Sequence, residues 1–148
     1  MIRTLAPNSE VEHIGATSVP GALTKGDVDL LVRVSEADFQ DALARLAARY
    51  APHYPDDWTS SLASFKEQPE RDLPVGVQLV VAGSEDDRLF VSWRERLLSD
   101  PDLLDRYNSF KASHEGDEYE EYTEAKAGFI AGILGRRLAR NSRRSMDD

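Results

Sequence analysis

The sequence predicts an α/β chain of the α+β kind: a small mixed β-sheet with flanking helices and a helical C-terminal part. Three observations predict it. VEHI, DVDLLVRV and PVGVQLVV are short runs rich in Val, Ile and Leu, bounded by Gly and Pro, and all lie before Gly83. Between the second and third runs, SEADFQDALARLAARY carries Phe39, Leu43, Leu46 and Tyr50 at helical spacing. After Gly83 the periodicity turns helical and stays so.

In order along the chain, Val11 to Ile14 reads as a short strand. ATSVPGALTKG follows as a loop or single helical turn broken by Pro20 and Gly21. Asp27 to Val34 reads as a buried strand whose apolar character is interrupted by two acids. Ser35 is placed as an N-cap, with acids in the first turn and arginines toward the end of the helix it opens. The region from Ala51 to Pro74 is punctuated by Pro52, Pro55, Pro69 and Pro74, leaving room for one edge strand around Ser61 to Phe65 and for a substrate-shaping loop. The strand PVGVQLVVAG ends at Gly83. Helices are then expected over Asp86 to Asp100, over Pro101 to Gly116 with its proline in the first turn, and over Glu118 to Arg140.

At 148 residues the chain is expected to form a single domain, 1–148, with residues 140–148 as a flexible tail. Having no cysteine, it has no disulfide, thiolate nucleophile or thiolate metal site. Its apolar runs are far too short to span a membrane, and the N-terminus lacks the basic and apolar regions of a signal peptide, so a cytoplasmic location is expected. A net charge of -9 disfavours nonspecific nucleic-acid binding, and a membrane partner is not expected. The basic segment RRLARNSRR reads as a solvated helix end. Oligomeric state is left open.

The chemistry concentrates in VEHIGATSVPGALTKGDVDLLVRV. If Asp27 and Asp29 both lie on a strand, their carboxylates share a face, each raising the other's pKa in a semi-buried place. A divalent cation removes that penalty, and magnesium takes one or two carboxylates while keeping positions for water and phosphates. The upstream Gly15-Ala16-Thr17-Ser18 turn offers backbone N–H groups and hydroxyls to a phosphate. The plainer alternative is that Asp27 and Asp29 flank a strand start with Lys25 or Arg33 as partners, Gly15 and Gly21 being ordinary turn glycines. His13 reads as a packed or capping histidine, and His53 and His114 have no metal-site spacing.

Gly15-Ala16, ten intervening residues, then Asp27-Val28-Asp29-Leu30 resembles the signature of the nucleotidyltransferase fold superfamily, a Gly-Ser or Gly-Gly turn preceding an Asp-x-Asp strand. EHIGATSVPG with the following Lys25, WRERLLSDPDLLDRYNSFK and YTEAKAGFI resemble the GrpB family, a branch of that superfamily without an established substrate. The resemblance implies a sheet of nucleotidyltransferase type, with Asp27 and Asp29 as catalytic, magnesium-holding residues. Gly15, Ala16, Thr17, Ser18, Lys25, Lys126 and Arg94 are the expected phosphate or nucleotide contacts, while Arg94 also has a structural reading as the ion-pair partner of an acid on a neighbouring helix. The chain departs from the family pattern in three ways. Ala16 stands where relatives carry Ser; Asp27 stands where a β-branched residue is frequent; and Val77-Gln78-Leu79 replaces a His-x-His strand. Active transferases of this fold use a third carboxylate on a neighbouring strand. Here that strand offers Gln78, with Asp72 just upstream and Glu12 a weaker candidate. The expected function is magnesium-dependent transfer of a nucleotidyl group from a nucleoside triphosphate to an unknown hydroxyl acceptor; the alternative is a catalytically degenerate nucleotide- or metal-binding module.

Overall fold

The structure, a computed structural model, describes residues 2–24, 26–67 and 74–135. The elements are α1 (Ile2–Leu5), β1 (Glu10–Ile14), β2 (Val28–Val34), α2 (Phe39–Arg49), β3 (Ala51–Pro52), β4 (Leu62–Glu67), β5 (Val75–Val81), α3 (Glu85–Ser99), α4 (Pro101–Ser113) and α5 (Tyr119–Leu134). Short 3-10 turns occupy Ala16–Ser18, Glu36–Asp38 and Pro55–Asp57. The strands form one five-stranded mixed sheet in the order β1-β2-β5-β4-β3. β2 and β5 run parallel, and the other neighbours pair antiparallel. The expected mixed α/β architecture is observed.

Alternation along the strands gives the sheet two different faces. On one face Val32, Val34, Ala63, Phe65, Val77 and Leu79 are buried with Phe39, Ala42 and Leu46 of α2. Each fully buried Leu, Val or Phe contributes roughly 1.5–3 kcal/mol of transfer free energy, which fixes α2 by its apolar stripe. On the other face Ile14, Leu31, Leu62 and Val80 meet Phe90 of α3. A separate cluster binds α3, α4 and α5 together through Trp93, Leu97, Leu103, Tyr107 and Ile130, and it includes Val19 from the segment after β1.

Capping side chains mark the helix starts: Ser35, expected to open α2, caps the 3-10 turn just ahead of it, and Ser84 and Asp100 are caps that were not anticipated. Ser35 Oγ accepts from the Asp38 amide at 3.2 Å, Ser84 Oγ from Asp87 at 3.3 Å and Asp100 Oδ1 from Leu103 at 3.1 Å, with Pro101 following directly. Several boundaries differ from expectation, among them the end of α4 at Ser113 where Gly116 was expected. α5 ends at Leu134, where Gly135 takes a left-handed conformation (φ 70°); the rest of the expected helix, to Arg140, lies outside the described residues. The edge strand covers Leu62–Glu67, and a two-residue strand, β3, pairs beyond it. The four-residue α1 was not anticipated, and its Ile2 is buried with the α2 cluster. Last, β2 begins at Val28, leaving Asp27 ahead of the strand. The expected tail and the RRLARNSRR segment lie outside the described residues.

Among the described residues no helix is long and apolar enough to cross a membrane.

Candidate functional site

The first strand delivers the chain to a turn that only glycine can make. Gly15 has φ 77° and ψ -179°, a region essentially closed to residues with a Cβ. The 3-10 turn it opens is held by its own side chains. Ser18 Oγ donates to the Gly15 carbonyl at 2.6 Å, and Thr17 Oγ1 donates to the Asp27 carbonyl at 2.9 Å. His13 Nε2 lies 2.8 Å from Thr17 Oγ1; because the single hydroxyl proton is already committed, the ring nitrogen is the donor. Arg94 reaches the same turn from α3, its Nε donating to Ser18 Oγ at 3.2 Å. Arg94, whose structural reading paired it with an acid on a neighbouring helix, is bonded to the turn. Thr17 and Ser18, expected as hydroxyl donors to a phosphate, spend their protons on backbone carbonyls. What the turn retains for an anion is its first backbone N–H groups, which have no acceptor within a helical turn.

Asp27 and Asp29 differ more than a shared strand face implies. Asp29 lies within β2 and is 6% exposed, whereas Asp27 is half-buried at the mouth, its carbonyl tied to Thr17. Space for the Asp29 carboxylate comes from two missing side chains. A Cβ at Gly15 would overlap Asp29 Oδ2, and a Cβ at Gly76, in register with Asp29 on β5, would overlap Oδ1. Gly76 is therefore a site residue that sequence reasoning missed; a glycine inside a valine-rich strand is the signal that marks close approach.

The same sheet face carries the other buried polar residues of the strands. Gln78 is in register with Leu31 and Ser64 with Gln78, which puts both on the Asp29 face. They are 4% and 2% exposed, and Ser64 Oγ donates to Gln78 Oε1 at 2.6 Å. Asp29, Gln78 and Ser64 thus form a polar strip across three neighbouring strands of an otherwise apolar sheet. Gln78, standing where a third carboxylate was sought, is engaged with Ser64. Glu12, the weaker candidate, is committed to Arg33, whose guanidinium lies 2.9 Å from Glu12 Oε1 and 2.5 Å from Asp87 Oδ1. Among the described residues no group of three acids or histidines is placed to hold a metal ion. Asp72 and Lys25 lie outside the described residues.

Three helices bound this end of the sheet. From α4, Asn108 accepts from the Leu23 amide at 2.8 Å and donates to the Gly21 carbonyl at 2.9 Å, while Lys111 Nζ donates to the Leu23 carbonyl at 2.5 Å. The loop between the turn and Asp27 is thereby clamped to α4. From α5, Lys126 is 3% exposed and its Nζ lies 5.9 Å from the centroid of the Tyr122 ring. Thr123, one turn earlier, is 2% exposed. At the start of α5, Glu120 Oε1 accepts from Tyr54 Oη at 3.4 Å. Tyr54, in the connection between β3 and β4, is a non-glycine residue with a left-handed backbone (φ 48°). Glu124 is exposed.

Comparison with known proteins places the chain. The GrpB protein family profile matches residues 1–136. A UPF0157 protein of Vibrio cholerae is 36% identical over 135 residues, covering 90% of this chain and 70% of its own. A UPF0157 protein of Streptomyces coelicolor is 31% identical over 143 residues, covering 92% and 73%. The crystal structure of the conserved protein GrpB from Enterococcus faecalis shares the fold, with a TM-score of 0.65 at 23% identity over 90% of this chain and 88% of that one. With the family profile spanning nearly the whole described chain and relatives matching over most of their length, the protein belongs to the GrpB family.

Proposed function

We propose that the chain is a nucleotidyltransferase-like protein that binds a nucleoside triphosphate with its magnesium at the sheet end carrying Asp27 and Asp29. The observation that supports it most is the socket around Asp29. A carboxylate 6% exposed is accommodated by glycines on two separate segments, so two parts of the chain are shaped around this one acid. The donor set fits magnesium brought by a nucleotide: two carboxylates, with the remaining positions left to water and phosphate oxygens. It does not fit a two-metal cage, since among the described residues no third acid joins the pair.

Held there by Asp27 and Asp29, magnesium would neutralise the triphosphate charge and orient its phosphates. The first N–H groups of the Gly15 to Ser18 turn would cradle phosphate oxygens, with Arg94 fixing the turn through Ser18. In the transfer reaction an acceptor hydroxyl attacks the α-phosphorus in line. A new P–O bond forms, the bond to the β-phosphate breaks, pyrophosphate leaves and the hydroxyl proton passes to water. The second reading, a module that binds without turning over, is favoured by Gln78, whose amide is bonded to Ser64 where a base or metal ligand would be needed.

Thermal shift with the four nucleoside triphosphates, with and without magnesium, tests binding on wild type and on Asp27→Asn/Asp29→Asn. A ligand at about one hundred times its dissociation constant adds roughly 2.7 kcal/mol of stability, a shift of several degrees for a domain of this size. A magnesium-dependent shift in wild type that disappears in the double variant is expected; no shift with any nucleotide overturns the proposal. Pyrophosphate release over a pool of hydroxyl acceptors then separates transfer from binding alone.

A further inference from the structure

Thr123 is the most deeply buried polar residue of α5, and its Oγ1 has no hydrogen-bond partner among the described residues. A threonine inside a helix normally turns its hydroxyl to a backbone carbonyl of the preceding turn or to solvent, and Thr123 does neither. Leaving such a group unmet costs free energy, so buried hydroxyls without a partner mark places where something else binds.

Its position follows from the two ends of the helix face it shares. The Tyr54 to Glu120 hydrogen bond sets the first turn of α5 beside the β3–β4 connection. Ala127 and Ile130 pack in one cluster with Val19, which directly follows the Gly15 to Ser18 turn on the β1 side. Between those anchors, on the same inward face, stand Thr123 and Lys126, both buried. From Glu120 to Ala127 the helix rises about 10 Å, close to the two strand spacings of roughly 4.8 Å that separate β4 from β2. That interval of the sheet is the one occupied by Ser64, Gln78 and Asp29.

We infer that Thr123 is a ligand-binding residue whose hydroxyl donates to a phosphate oxygen of the bound nucleotide, opposite the Asp29 carboxylate. A hydroxyl donor and an ammonium three residues apart on one helix face match two oxygens of an anion, and it is Lys126 that selects phosphate over sugar. The inference rests on the proposed nucleotide site and adds a helical wall to it.

Isothermal titration of magnesium–ATP and magnesium–tripolyphosphate into wild type and Thr123→Val tests it, alongside the melting temperature of each protein without ligand. Valine keeps the shape and removes the hydroxyl. The expected result is an unchanged or higher melting temperature and roughly tenfold weaker binding of both ligands, the size of one lost hydrogen bond to a charged group. If wild type binds both ligands and Thr123→Val leaves the affinities unchanged, Thr123 is only a poorly satisfied core hydroxyl; the inference falls and the site stands. Weakening of magnesium–ATP alone would overturn the assignment to phosphate. If wild type binds neither ligand, the nucleotide site and this inference fall together. Should the valine variant not fold, Thr123→Ser and Thr123→Ala differ from one another only in the hydroxyl. Tenfold tighter binding by the serine variant supports the inference, and equal binding overturns it.

Discussion

The carboxylate of Asp29 fills the space that a side chain on Gly76, its in-register neighbour on β5, would occupy. A buried acid and a strand glycine are thus one feature, and Gly15 completes it from the other side. The substitutions at the two glycines should nevertheless behave differently. Gly76→Ala meets only the carboxylate, so it should cost about 1–3 kcal/mol by overpacking and be largely rescued in Gly76→Ala/Asp29→Ala. Gly15→Ala also forces a Cβ into a left-handed backbone and toward the Asp29 Cβ, adding about 1–3 kcal/mol that the Asp29→Ala change does not return. Urea denaturation of the three single variants and the two doubles with Asp29→Ala checks this through the two coupling energies.

Gln78 offers a test of whether the site is built for a cation. Gln78→Glu places a third carboxylate on the Asp29 face at a position 4% exposed and breaks a hydrogen bond with Ser64. In metal-free buffer the variant should lose on the order of 2 kcal/mol, and magnesium should restore part of that loss. Loss without any response to magnesium would count against a cation at this end of the sheet.

Asn108 ties α4 to the loop that carries Asp27. Its amide accepts from the Leu23 N–H and donates to the Gly21 carbonyl, so Asn108→Ala removes both bonds while leaving the helix intact. Hydrogen exchange at the Leu23 amide should accelerate by tenfold or more, with a global stability loss of about 1–2 kcal/mol. Magnesium–nucleotide affinity should fall as well, because the Asp27 mouth loses its fixed position.

Arg33 joins β1, β2 and α3 through Glu12 and Asp87, with Glu10 at the margin. Burial pulls its pKa down, but hydrogen bonds and charge from Glu12 and Asp87 outweigh burial and hold it above the ordinary arginine value. A cation with a raised folded-state pKa contributes stability that is complete below its unfolded-state pKa, already far into the alkaline range for arginine, and lost only as pH climbs past the folded-state value. The Arg33 contribution should therefore be flat across the neutral and mildly alkaline range. Arg33→Met, which strands the buried Asp87, should cost about 3 kcal/mol, and the deficit should not vary between about pH 7 and about pH 10.

Much of the fold was legible because its signals are local. The valine-rich runs gave β1, β2 and β5, Pro101 opened α4 at its first turn, and Ser35 capped the turn that leads into α2. β3 was not legible, since a two-residue strand containing a proline has no period to read. The site was legible in its residue types and only partly in its geometry. Asp27 and Asp29 were expected on one strand, but Asp27 gives its carbonyl to Thr17 and the ladder begins at Val28. Arg94, expected at a phosphate, bonds Ser18 Oγ of the turn. The roles of Gly76, Ser64, Asn108 and Thr123 arise from tertiary register, which no spacing along the chain encodes.

The central claim is a nucleotide-borne cation at Asp29. Its most direct measurement is anomalous diffraction from crystals grown with manganese and a non-hydrolysable nucleoside triphosphate. The account predicts an anomalous peak in coordination contact with the Asp29 carboxylate, with phosphate density against the Gly15 to Ser18 turn. A peak elsewhere, or nucleotide density with no cation beside Asp29, would contradict it.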